Sequence, residues 1–286
     1  METVALLGTG LLGSGFARAL LRKGHTVRVW NRSITKAEAL AEAGAIVCGT
    51  AAEAAEGASR VHLVLAEDTA VDAVIAALRP GLGAGVTIVD HSTNAPARVA
   101  ARAAALAEEG VAYVHAPVFM NPKNALDSTG IMVVSGSPAR VEPVRAALES
   151  MTGSLWVSGE EPERAAMLKL AGNGMLLALG GVVGDLYAMA DHAGFRPADV
   201  DALFQRFNPA SMIGYIGQRV ATGGIKPASF ELSMARKDVR LMLETAGGSE
   251  DLAVLPGVAA AMDRAIAAGR ADEDYGVYGW WRKNKG

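Results

Sequence analysis

Several short stretches of this 286-residue chain carry side chains whose type and spacing suit chemistry. Gly8-Thr9-Gly10-Leu11-Leu12-Gly13 comes directly after the first apolar run. A tight turn wants no Cβ at Gly8, close approach of backbone to a pyrophosphate wants none at Gly10, and packing of helix on strand wants none at Gly13. A helix opening there points its free N–H groups at an anion. These residues, with Leu11 and Leu12 in the same turn, read as a dinucleotide site. Asn31-Arg32-Ser33 follows about 20 residues later, where NAD enzymes place a carboxylate for the ribose 2′-hydroxyl. This chain offers a guanidinium and two small polar side chains instead. They suit a 2′-phosphate, because arginine binds phosphate oxygens in pairs. The expected cofactor is NADP (NADPH). Leu65 and Ala66, at the end of a later apolar run, are expected to border it.

Lys169 and Asn173 stand four apart, so a helix projects both from one face. Gly180 and Gly184 continue that face with no side chain. A lysine in an apolar helix is costly to bury unless it is used, although its stem can also lie along the surface with the charge in water. Asp90-His91-Ser92-Thr93-Asn94-Ala95-Pro96 ends another apolar run, at the edge where open α/β sheets bind ligands. The same segment reads equally as a capping turn, with Thr93 or Asn94 as N-cap of the following helix.

The elements that would position these groups alternate along the first half. Thr3–Leu7, Thr26–Trp30, Ala45–Val47, Val61–Leu65 and Thr87–Asp90 read as strands. Between them Leu11–Lys23, Ile34–Ala43, Ala51–Glu56, Ala70–Leu78 and Ala95–Glu108 have helical spacing. Val111–Val114 and Ile131–Val134 continue the strands, Pro138–Met151 is a helix, and Ser154–Val157 a last edge strand. That alternation predicts α/β architecture, a Rossmann-type doubly wound parallel sheet. Beyond Pro162 only helical periodicity remains, over Glu163–Ala193, Pro197–Phe207, Ser211–Ala221, Ser229–Ala246 and Val254–Ala268. The expected domains are therefore 1–161, binding the nucleotide, and 162–286, all helical, for substrate and dimerisation. A long helix joins them. Pro162 suits its first turn, where a missing N–H costs nothing.

Composition excludes several classes. Net charge is −3 with both signs interleaved, so the basic stripe of a nucleic-acid binder is absent. Cys48, the single cysteine, permits no internal disulfide and fits a reducing cytoplasm. The amino terminus has no basic n-region or cleavage site, so no secretory signal is expected. Leu170–Gly184 is uncharged but Lys169 and Asp185 bound it, and a spanning helix wants about 20 apolar residues. It is expected to be a buried helix between domains. His25, His62, His91, His115 and His192 lack ligand-pair spacing, so no metal is expected. The aromatic tail Tyr275–Trp281 suits core packing, or a cap over the active site or a neighbouring subunit.

In order along the chain stand Gly8–Gly13, Asp90–Pro96, Ala116-Pro117-Val118, Lys169 with Asn173, and Phe230 followed by Lys237-Asp238. This series resembles the β-hydroxyacid dehydrogenase family, which includes 3-hydroxyisobutyrate dehydrogenase and the larger 6-phosphogluconate dehydrogenase. The resemblance spans almost the whole chain. It implies a dehydrogenase or reductase acting on CH–OH, reversibly oxidising a 3-hydroxy acid or reducing the matching aldehyde or keto compound. It makes Lys169 the general acid/base and Asn173 a substrate holder. Ser92 and Thr93 then lie beside substrate and nicotinamide, and Lys237 reaches the cofactor. Hydride transfer at carbon must be matched by proton transfer at oxygen, and a desolvated lysine can serve once its pKa approaches about 7–8.

The match fails at the substrate loop. Ser-Gly-Gly usually follows Ala-Pro-Val in the family and receives a carboxylate on its amides; here stand Phe119, Met120 and Asn121, then Pro122-Lys123. His115 replaces an Asp, Glu163 and Ala165 replace glycines, and Gly172 stands where a second Asn is common. Phe119, Met120, Asn121 and Lys123 are the substrate-side candidates, with loop packing as the other reading of Phe119 and Met120. A bulkier, more apolar substrate is expected. Imine reductases share the architecture and also lack Ser-Gly-Gly, but commonly put Asp or Tyr at the position of Lys169. Reduction of C=N bonds, or a non-catalytic dinucleotide-binding module, are the alternatives. At least a homodimer is expected, because the long apolar helix needs cover.

Overall fold

The computed structural model describes residues 1–280, with the side chain of Trp280 excepted. Trp281 of the aromatic tail lies outside the described residues. Two compact units divide between Asn173 and Gly174.

The first unit opens β1 (Thr3–Leu7), α1 (Leu11–Arg22), β2 (Thr26–Trp30), α2 (Ile34–Glu38), β3 (Ile46–Val47), α3 (Ala51–Ala55) and β4 (Arg60–Leu63). Then come α4 (Asp68–Leu78), β5 (Thr87–Asp90), α5 (Pro96–Glu108) and β6 (Ala112–His115). The strands form one parallel sheet in the order β3-β2-β1-β4-β5-β6, the doubly wound arrangement. Strand order reverses beside β1, and ligands bind at such a switch point. Strand alternation builds two cores. Val4 and Leu6 pack with Phe16 and Leu20 of α1 on one face. Ala5 and Leu7 pack with Val71 and Leu78 of α4 on the other. Burial on both faces is why β1 reads as a continuous apolar run.

Beyond β6 the chain makes β7 (Val118–Phe119), α6 (Pro122–Asp127), β8 (Ile131–Val134), α7 (Pro138–Glu149) and β9 (Ser154–Val157). Here the structure corrects the sequence reading. β8 and β9 join β7 in a separate three-stranded sheet, antiparallel at β7–β8 and parallel at β8–β9. Neither β7 nor α6 was expected, because each is too short to show periodicity. The helix expected over Ile34–Ala43 breaks into α2 and a 3-10 turn over Ala41–Ala43.

α8 (Arg164–His192) spans the division between the units. Its start belongs to the first unit: Ala165 and Ala166 are buried, and the Ala165 N–H donates to Ser135 Oγ at 2.9 Å. Thereafter α9 (Pro197–Phe204), α10 (Ile213–Thr222), α11 (Leu232–Thr245), α12 (Leu255–Ala267) and α13 (Val277–Trp280) make the second unit. Leu232 and Val239 of α11, Met262 of α12 and Val277 of α13 form its core. Asp185 fastens α8 to α12, accepting the N–H groups of Ala253, Val254 and Leu255 at 2.7, 2.8 and 2.8 Å. The mean hydropathy of α8 reaches 1.5, enough with its length to cross a membrane by composition alone. The expectation that this helix is buried is not met within one chain: Met175, Leu176, Leu177 and Leu179 are exposed.

Candidate active site

The glycine turn holds the geometry its sequence implies. Gly8 has φ +102°, and a Cβ there would lie 2.2 Å from the Val64 carbonyl oxygen. A Cβ on Gly13 would lie 1.9 Å from the Gly8 carbonyl oxygen. Gly10, the N-cap of α1, faces open space. That space is part of a cavity of about 590 Å³ in the first unit. Gly8, Gly10, Leu11, Leu12, Gly13, Asn31, Arg32, Ser33, Leu65, Ala66, Ser92 and Thr93 all line it. Every cofactor-side candidate except Lys237 is thus gathered around one hollow.

Asn31 latches the turn. Its Oδ1 accepts the Thr9 N–H at 3.1 Å, and its Nδ2 donates to the Ser33 carbonyl at 3.0 Å. Arg32 is exposed on the cavity wall, and so is Lys36, one helical turn into α2. Sequence reasoning missed Lys36, although its place three residues beyond Ser33 at the start of a helix was the available signal. Neither cation is in an ion pair among the described residues. The buried Thr9 hydroxyl also has no partner among them. A free helix N-terminus, an open space at Gly10 and two cations without an ion pair among the described residues fit a dinucleotide.

Across the cavity the Asp90–Asn94 turn is built around a fully buried carboxylate. Asp90 accepts the Ser92 N–H at 2.9 Å, Asn94 Nδ2 at 2.7 Å and the Tyr113 hydroxyl at 2.9 Å, with Arg102 at 3.8 Å. Ser92 Oγ accepts the Leu65 N–H at 2.9 Å, and Thr93 is left exposed. The expected capping by Thr93 or Asn94 does not occur. Ala95 occupies the N-cap of α5, Pro96 follows, and Asp68 Oδ2 accepts the Ala95 N–H at 2.9 Å.

Histidines that looked unrelated in sequence are joined here. Arg60 Nε donates to His62 Nε2 (3.1 Å), His62 Nδ1 meets His91 Nε2 (2.9 Å), and His91 Nδ1 meets the Ala116 carbonyl (2.7 Å). A carbonyl only accepts, so His91 Nδ1 carries hydrogen and its Nε2 accepts from His62. Both rings are neutral in this chain. Burial holds His62 well below its ordinary value and His91 at about 4. The signal was present in the period-2 pair Arg60 and His62 on one strand face.

The proton-transfer candidates form a second group. Lys169 Nζ donates to Asn173 Oδ1 at 2.9 Å and sits 4.3 Å from the centre of the Phe119 ring. Burial lowers the Lys169 pKa from its ordinary value. A Cβ on Gly172 would lie 2.4 Å from two atoms of that ring. The other loop candidates have their own partners. Met120 packs against the core. Asn121 caps α6 in a reciprocal box: its side chain takes the Asn124 N–H at 2.9 Å, and its own N–H goes to Asn124 Oδ1 at 3.0 Å. Lys123 is exposed and ion-paired with Asp127. In the second unit, Lys237 on α11 pairs with Asp238 at 2.9 Å, and Phe230 meets Tyr275 edge-on.

The family described as the NAD binding domain of 6-phosphogluconate dehydrogenase matches residues 3–159. The 3-sulfolactaldehyde reductase of Escherichia coli is 26% identical over 285 residues, covering 96% of this chain and 94% of that one. Among solved structures, an imine reductase of Streptomyces aurantiacus superposes with a TM-score of 0.87 and 26% identity, over 97% of this chain and 98% of that one. A reductive aminase of Aspergillus terreus, in complex with NADPH and ethyl levulinate, gives 0.85 at 21% identity over the same shares.

Proposed function

Because the chain belongs to the 6-phosphogluconate dehydrogenase-type, β-hydroxyacid dehydrogenase-like family, and is thereby an NAD(P)-dependent oxidoreductase, we propose that it reduces an aldehyde or ketone to the alcohol with NADPH. The observation that carries this reading is the Lys169 ammonium, held by Asn173 Oδ1 at 2.9 Å and lowered in pKa by burial. Bound NADPH supplies the hydride that the carbonyl carbon receives. The C=O π pair then moves to oxygen, and Lys169 Nζ gives that oxygen a proton, taking one back from solvent afterwards. In the oxidative direction neutral Lys169 accepts the hydroxyl proton. An iminium needs no such donor, because hydride addition alone yields a neutral amine, and its positive charge is repelled by an ammonium. This chemistry favours C=O over C=N, and the aldehyde named for the E. coli relative is of that class.

Arg32 and Lys36 support NADP over NAD, as two cations on the cavity wall beside an Asn31–Ser33 segment that carries no carboxylate. On the substrate side we assign Ser92 and Thr93 to the carbonyl compound. The Asn121 N–H is committed to Asn124, so the loop has lost one of the three amides that would receive a carboxylate. The proposed substrate therefore carries an apolar group rather than a carboxylate beside the reacting carbon, each buried methylene contributing about 0.8 kcal/mol. We assign Lys237 to the cofactor on the family resemblance, the nucleotide domain to 1–161, and the chain to the cytoplasm as a homodimer.

The test is NADPH oxidation with hexanal, benzaldehyde, succinic semialdehyde, glyoxylate and 1-pyrroline. The highest kcat/KM is expected for a neutral aldehyde. Turnover of 1-pyrroline alone, with no alcohol oxidised, would transfer the assignment to imine reduction, the class of the Streptomyces neighbour. Tight NADPH binding with every compound inert would leave a binding module.

A further inference from the structure

Two departures from the family pattern, Phe119 in the loop and Gly172 on the helix, meet each other in space. Phe119 is the last residue of β7 and stands opposite Ile131 of β8. Its backbone is fixed from both sides. On one side the Val133 N–H donates to the Pro117 carbonyl at 2.9 Å, and His91 holds the Ala116 carbonyl. On the other, α6 packs so closely on α1 that a Cβ on Gly15 would lie 2.8 Å from the Pro122 carbonyl oxygen. The ring thus arrives at α8 from a rigid support. There it meets the face shared by Lys169, Gly172 and Asn173, which are spaced i, i+3 and i+4.

On that face the ring has room only because residue 172 has no side chain. An ammonium has three donors. One goes to Asn173 Oδ1 and the ring lies against the Nζ at 4.3 Å. A lysine stem otherwise has many rotamers, and a ring at this distance attracts the cation through its negative face.

We infer that Phe119 is a positioning residue for the Lys169 ammonium, and that Gly172 is the complementary vacancy that admits its ring. The functional half of this inference rests on the reading of Lys169 as proton donor; the interlock of ring and glycine does not. Phe119 acts through Lys169, so its loss falls on turnover, whereas a residue that only bound substrate would change KM.

Three measurements on the full chain test this. The first is thermal melting of Gly172→Ala in two backgrounds. Glycine to alanine inside a helix ordinarily stabilises. Here Gly172→Ala is expected to lower Tm when Phe119 is present and to raise it in Phe119→Ala, a reversal of sign. The same sign in both backgrounds would overturn the interlock. The second is the proton NMR resonance of the Lys169 ε-methylene, identified by its loss in Lys169→Arg. It is expected upfield of ordinary lysines, to stay there in Phe119→Tyr, and to move to the ordinary position in Phe119→Leu. No displacement in the unaltered protein would overturn the positioning.

The third is kinetics with hexanal and NADPH. Phe119→Leu is expected to lose roughly 3- to 30-fold in kcat with little change in KM, and Phe119→Tyr to restore most of it. Equal kcat in both variants and the unaltered protein, while Lys169→Ala is inactive, would sink the positioning role alone. An active Lys169→Ala would sink the donor reading, with the melting reversal and the NMR displacement standing or falling separately.

Discussion

At the scale of single residues, the consequence of a held lysine is a division between binding and turnover. Lys169 does not line the cavity around the glycine turn, so its removal leaves the nucleotide contacts in place. Lys169→Ala is expected to keep NADPH affinity, read by fluorescence titration, and to lose roughly 10²–10⁴ in turnover. Full activity would remove it from the mechanism. Cofactor choice is expected to lie with Arg32 and Lys36 more than with Asn31. An Asp at 31 keeps the acceptor that Thr9 needs and loses only the donor to Ser33. Arg32→Ser with Lys36→Ala should therefore raise KM for NADPH at least tenfold, with little change for NADH, because two charge-assisted contacts go with the 2′-phosphate only. Equal loss for both cofactors would refute this. The candidate site was largely legible because chemistry fixes residue type: glycines at a turn, a lysine with an amide four residues on. What escaped was whatever depended on a partner distant in sequence. Phe119 and Gly172 each looked like a separate departure until the ring was seen to fill the missing side chain's place.

Among the elements, the same distinction between local and distant signals applies. β1 and β5 were readable to the residue because a strand buried on both faces has no alternation to confuse its ends. β7 and α6 were not, since a two-residue strand and a six-residue helix carry no period, and only pairing with β8 and packing on α1 hold them. β4, β5 and the segment after β6 are also tied by Arg60, His62, His91 and the Ala116 carbonyl, of which only the Arg60–His62 pair on one strand face is a local signal. This tie makes stability depend on pH. His62 and His91 are neutral when folded, His91 with a pKa of about 4, while unfolded histidine takes a proton near 6.5. Between those values the unfolded chain binds more protons, so stability rises with pH there and is lost as pH falls from 6.5 toward 4. His91 costs up to about 1.4 kcal/mol per pH unit in that interval, and His62 acts in the same direction. Urea midpoints should be level above pH 7 and drop sharply by pH 5, and His91→Gln should flatten the drop. A midpoint unchanged between pH 7 and pH 5 would contradict the neutral chain.

For the molecule as a whole, the unsettled debt is the apolar surface of α8. Met175, Leu176, Leu177 and Leu179 face solvent, and a Cβ on Gly174, Gly180 or Gly184 would meet nothing within 4 Å. A membrane is a poor cover for it. Toward its start Lys169 and Asn173 are engaged with one another, and farther along Asp185 holds the N-terminus of α12 through three backbone N–H groups. The stretch left between them, Gly174–Gly184, is well short of the roughly 20 apolar residues that span a bilayer. A second copy of the same helix suits it better. Identical faces meet across a two-fold axis without further design, and glycines spaced four apart let two backbones come close while the leucines beside them fill the flanks. Exposed apolar patches of this kind on soluble chains mark such contacts. Light scattering at micromolar concentration is therefore expected to give about twice 29.5 kDa without detergent. Leu176→Lys with Leu177→Lys, which puts like charges on both copies of one face, should shift the species toward monomer. A monomeric unaltered protein would end the proposal of a homodimer, and a requirement for detergent would give α8 to the membrane instead.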